Sequence, residues 1–125
     1  MPARLTNVLI VDDDEAVRSA LKFALELDVF NVIVHSRAID VLADPGLGTI
    51  DCLVASDGLP GMDCFQLIDR LRQLGLRIPA IVVTGNATQL VRYRASACGA
   101  RLVLEKPLME NSLVDAIHAV REQAA

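Results

Sequence analysis

The chain has 125 residues, 53% of them hydrophobic and 22% charged, with a net charge of −4. That length predicts one domain, 1–125, able to bury a core, and the composition argues against disorder. An acidic balance leaves no electrostatic footprint for nucleic acid, and apolar runs of four or five residues are too short to span a membrane.

Five short apolar runs punctuate the chain. The first, residues 8–11, ends in Asp12-Asp13-Asp14. After it, Val17, Ala20, Leu21, Ala24 and Leu25 fall at helical spacing, which predicts an amphipathic helix. The second run is 32–34, followed by a short segment, 38–43. The third, Cys52-Leu53-Val54-Ala55, leads into Ser56-Asp57-Gly58, and Cys64, Leu67, Ile68 and Leu71 mark the next helix. The fourth is 80–83, followed by Thr84-Gly85-Asn86 and a less clearly periodic stretch, 88–98. The fifth is 102–104, leading into Glu105-Lys106-Pro107, and Leu113, Ala116, Ile117 and Val120 close the series. Continuous β-rich runs read as strands buried on both faces. Alternation with helices predicts a doubly wound α/β sandwich with a parallel sheet and right-handed crossovers.

In such a sheet, sites form at the carboxyl ends of the strands. Carboxylates, hydroxyls and one lysine therefore converge there. Asp14 and Glu15 suit a helix start, where acids meet the positive end of the dipole. Asp12 and Asp13 are different, because neighbouring carboxylates at a strand end repel unless a cation compensates them. A hard ion such as Mg²⁺ takes one or two carboxylates plus phosphate. Lys106 is placed to balance these acids or grip a phosphoryl oxygen, and a cis bond before Pro107 would aim it. Thr84 suits either that site or a cap for the next helix. Cys52, Cys64 and Cys98 match no zinc spacing and suit a reducing compartment. Met1-Pro2-Ala3-Arg4 lacks the apolar core of a signal peptide, so a cytoplasmic location is expected.

Together these segments resemble a response-regulator receiver domain along nearly the whole chain. The resemblance rests on residues 8–14, Leu59-Pro60-Gly61-Met62-Asp63, Ile81-Val82-Val83-Thr84-Gly85, Cys98-Gly99-Ala100 and Glu105-Lys106-Pro107. It implies a flavodoxin-like (βα)5 sandwich with strand order 2-1-3-4-5. It also implies a two-component signalling switch rather than an enzyme, phosphorylated by a histidine kinase on an aspartate after the third strand. Asp12, Asp13 and the Gly58 carbonyl would be the Mg²⁺ site, Thr84 the hydroxyl that senses the phosphoryl group, and Lys106 the family lysine. Arg92, Arg94 and Arg101, with Tyr93 among them, form either a solvated helix face or a docking or dimerisation patch on the family's output surface.

One departure stands out. The family places proline four residues after the acceptor, and counting back from Pro60 lands on Ser56, not Asp57. Spacing agrees: Ser56 to Thr84 is 84 − 56 = 28 and Thr84 to Lys106 is 106 − 84 = 22, close to the family's separations. Successive strand side chains face opposite ways, so Asp57 is expected to point away from a pocket shared by Asp12, Asp13, Ser56, Thr84 and Lys106. Asp57 could serve as acceptor only if the strand end shifted by one residue. A serine ester would be stable, nothing near Ser56 reads as a base, and a missing carboxylate weakens Mg²⁺. Val103 stands where the family has a swinging aromatic ring, and Cys64 where it has glycine. These departures favour a receiver degenerate in aspartyl phosphorylation that acts through protein partners, against a conventional receiver using Asp57. A Mg²⁺-dependent hydrolase built on Asp12-x-Asp14 is the weakest alternative, since Ala16 stands where such enzymes prefer Thr or Val.

Overall fold

The computed structural model describes residues 5–108 and 111–124. Strands β1 (Asn7–Val11), β2 (Asn31–His35), β3 (Cys52–Ser56), β4 (Ala80–Thr84) and β5 (Leu102–Glu105) alternate with helices α1 (Glu15–Leu27), α2 (Ala38–Leu42), α3 (Cys64–Gln73), α4 (Gln89–Cys98) and α5 (Ser112–Ala124). All five strands pair in parallel, in the order β2-β1-β3-β4-β5. This is the predicted sandwich.

Strand parity divides the core into two layers. Leu9, Val11, Leu53, Ala55, Ala80 and Val82 pack with α2, α3 and α4. The alternate residues Val8, Ile10, Cys52, Val54, Ile81 and Val83 pack with α5 and with Leu25 of α1. The three central strands are buried on both faces, while β2 and β5 are only half-buried, because an edge strand lacks a neighbour on one side. In α3, Cys64, Leu67, Ile68 and Leu71 are fully buried, and in α5 Leu113, Ala116, Ile117 and Val120 are buried too. The stripe on α1 is narrower than its spacing suggests. Leu25 is buried, but Ala20 and Ala24 are exposed.

Local signals set the helix starts. Asp14 caps α1, accepting from the Ala16 and Val17 amides. Asp63 and Gln66 form a capping box that starts α3. Thr88, rather than Thr84, caps α4.

Candidate functional site

The site lies at the carboxyl ends of β1, β3, β4 and β5, where the strands release their polar residues. Asp12, Ser56 and Thr84 are the buried polar side chains of the described residues, at 3%, 4% and 2% exposure. A buried carboxylate needs partners, and Asp12 has them. One oxygen accepts from the Asp14 amide at 2.9 Å, and the other pairs with Lys106 Nζ at 3.2 Å. The same ammonium donates to Ser56 Oγ at 3.3 Å. The Lys106–Pro107 peptide bond is cis.

Ser56 therefore meets the lysine. The expectation for Asp57 needs a correction all the same. Its carboxylate does not leave the region: Thr84 Oγ1 donates to Asp57 Oδ2 at 3.0 Å. Parity explains the pairing. Asp12, Ser56 and Lys106 continue the rows of Ile10, Val54 and Leu104, which pack toward α1 and α5. Thr84 continues the row of Ala80 and Val82 toward α3 and α4, and Asp57 continues that of Leu53 and Ala55. The Asp57 amide adds one more rung to the ladder, donating to the Val83 carbonyl at 2.7 Å. Gly58 then turns the chain at φ +86°, a conformation costly for other residues. The expected single pocket is thus two adjoining groups: Asp12–Lys106–Ser56 on one side and Asp57–Thr84 on the other. Asp13 is exposed beside them.

Three contributors escape the sequence reading. Arg18 donates to the Asp12 backbone carbonyl at 2.7 Å, bringing a second cation to the acid cluster. Its one signal is its place one turn into a helix that starts at those acids. Glu105 Oε1 accepts from the Ala87 amide at 2.8 Å, and the Asn86 amide donates to Thr84 Oγ1 at 3.2 Å. The arginine patch also changes. Arg92, Tyr93, Arg94 and Arg101 are all exposed, and Arg94 is in addition paired with Asp63 at 3.1 Å and stacked 4.4 Å above the Phe65 ring.

Asp12 and Asp13 offer Mg²⁺ a pair of carboxylates, the number such an ion takes while keeping water. The fit is a weak one. Asp12 already serves Asp14 and Lys106, and a neutral hydroxyl stands at Ser56 in place of a third anionic oxygen. Among the described residues no group of three or more His, Cys, Asp or Glu could hold a metal ion. Burial pushes the Cys64 thiol, near this site, up to about 12, and does the same for Cys52. They stay protonated at neutral pH. No helix among the described residues is long and apolar enough to cross a membrane.

A doubly wound parallel sheet with a buried acid, buried hydroxyls and a half-buried lysine at its carboxyl edge is the arrangement of the receiver class of signalling domains. The chain belongs to the response regulator receiver domain family, whose model matches residues 8–118. It is 34% identical to the transcriptional regulatory protein FixJ of Rhizobium meliloti (strain 1021), over 93% of this chain and 57% of that protein. Identity is also 34% with the transcriptional regulatory protein CpxR of Escherichia coli (strain K12), over 93% of this chain and 49% of that protein. The chain thus spans about half the length of these curated relatives. The crystal structure of FixJ-N superposes with a TM-score of 0.86 at 31% identity, covering 96% of each chain. The Vibrio cholerae chemotaxis protein CheY4 superposes at 0.88 with 21% identity, covering 94% of this chain and 99% of that one, a likeness of fold. Receiver domains are in general non-catalytic parts of two-component signalling, and they typically bind Mg²⁺ at their acidic pocket.

Proposed function

We propose that this chain, 1–125, is a cytoplasmic receiver domain that has lost ordinary aspartyl phosphorylation and signals through protein contacts, without enzymatic turnover of its own. The observation that carries this reading is the Lys106–Ser56 contact. The position the family lysine reaches holds a hydroxyl, which cannot form the reactive acyl phosphate that stores switching energy. Lys106 offers that hydroxyl no base: its Nζ donates to Ser56 Oγ and pairs with Asp12. Asp12, Asp13 and the Gly58 carbonyl would hold Mg²⁺ weakly, and bound there it would offset negative charge. Val103, half-buried against the α3 and α4 layer, offers no ring to swing. A histidine kinase or another signalling protein is the partner, with Arg92 and Arg101 on a docking or homodimer face; this domain contacts neither nucleic acid nor membrane.

The conventional alternative keeps one observation in its favour: Asp57 already lies on Thr84. Incubation of the intact protein with acetyl phosphate and Mg²⁺, followed by intact mass, separates the two. No labile phosphoryl adduct is expected. A hydroxylamine-sensitive adduct on Asp57 would restore the conventional receiver.

A further inference from the structure

Thr84 has one proton to give and two acceptors near it: the Asp57 carboxylate at 3.0 Å and the Asn86 carbonyl at 3.2 Å. The charged, nearer acceptor takes it. The threonine oxygen then accepts from the Asn86 amide. Hydrogen bonds thus run from Asp57 through Thr84 to Asn86, and the next residues of the loop are held separately, by the Ala87 amide on Glu105 and the Thr88 cap of α4. Further along the helix, Arg94 ties α4 to the start of α3 through Asp63 and Phe65. The loop between β4 and α4, and α4 itself, are thus held at several points by residues of this chain alone.

We infer that Asp57 is the standing partner of Thr84, taking the role a phosphoryl group would have there, and that this link holds α4 in one placement without phosphorylation. This rests on the reading above, in which no phosphoryl group arrives at position 56. Two features make the link self-sufficient. Asp57 already carries the negative charge that Thr84 responds to. It would also repel a second anion entering beside it, so an incoming phosphoryl group must displace a carboxylate before it can engage Thr84. A partner that reads α4 would therefore bind the unmodified protein.

The test is a double-mutant cycle read by amide hydrogen exchange over residues 86–91. Asp57→Ala and Thr84→Val should each speed exchange there by roughly tenfold, the scale of one charge-assisted hydrogen bond. The double variant should exchange no faster than either single one. Asp57→Asn keeps an oxygen able to accept from Thr84, so it should stay within about threefold of the parent and guards against a variant that fails to fold. Unchanged exchange in both single variants would overturn the inference, and so would fully additive effects. The acetyl phosphate experiment tests the underlying reading by itself. An adduct on the parent protein together with the predicted cycle would remove that reading and leave the Asp57–Thr84 link standing.

Discussion

The two sides of the site hold one aspartate each, Asp12 against Lys106 and Asp57 against Thr84, and they meet its charge differently. On the β1, β3 and β5 side, Asp12 and Lys106 compensate one another and Ser56 supplies a neutral oxygen. On the β3 and β4 side, Asp57 binds Thr84 directly. Moving a carboxylate by one residue along the chain moves it to the other face of the sheet, because strand side chains alternate. The carboxylate of residue 57 therefore meets the threonine, and the lysine meets the hydroxyl of residue 56. Neighbouring residues are not interchangeable at a strand end, even when the same groups stay close together.

The largest effect should come from breaking the lysine side. Lys106→Met leaves Asp12 buried without its counter-charge. Removing one partner of a buried pair costs about 3–5 kcal/mol, but Lys106 is one-third exposed, so about 2 kcal/mol is expected. Urea unfolding measures it, and Asp12→Asn in the same background should recover part of the loss. Asp57→Ala, on the threonine side, should cost only about 1 kcal/mol, since it removes one partly exposed hydrogen bond. Equal losses from the two variants would break the distinction between the two sides.

A thiol probe sharpens the comparison. Cys64 is fully buried at the start of α3, with its thiol pushed up to about 12. Alkylation in the native protein at pH 8 should therefore be slow and limited by local opening. Asp57→Ala should speed it more than Lys106→Met does after correction for global stability. Rapid labelling of the parent protein would show that the α3 and α4 layer is not closed.

The smallest effect lies away from both sides, at His35 and Asp44. The hydrogen bond from His35 at 2.7 Å holds the Asp44 carboxyl below its usual range, helped by the Gly46 amide. A group whose folded value is depressed stabilises the fold fully above its unfolded value and loses that contribution as pH falls through the folded one. Asp44→Asn should therefore lower melting temperature at neutral pH, with the difference from the parent shrinking below about pH 4. A difference that grows in acid would contradict the assignment.

Much of the fold is legible in the sequence, because few alternatives fit the pattern. Continuous runs such as Ala80–Val83 read as strands covered on both faces, and the 2-1-3-4-5 order that the family resemblance implies puts Asp12, Ser56, Thr84 and Lys106 at one edge. The Pro60 spacing also separated Ser56 from Asp57. The remaining contacts depend on geometry that spacing does not carry. Parity joins Thr84 to Asp57 rather than to Ser56, which requires knowing how β3 and β4 are registered. Arg18 reaches back six residues to a backbone carbonyl, with only its place in the first turns of α1 to signal it, and Glu105 accepts from a loop amide 18 residues away with no local signature. Arg94 read as part of a surface patch because its partner, Asp63, lies 31 residues away.

The central claim is that position 56 is the acceptor place with its carboxylate missing. Ser56→Asp tests it most directly, in a paired Mg²⁺ titration of melting temperature and an acetyl phosphate reaction read by intact mass. A third carboxylate beside Asp12 and Asp13 should repel them without metal and bind the ion more tightly with it. Mg²⁺ should then stabilise the variant more than the parent, and the variant alone should gain a hydroxylamine-sensitive adduct on residue 56. Equal Mg²⁺ responses and no adduct on the variant would contradict the claim.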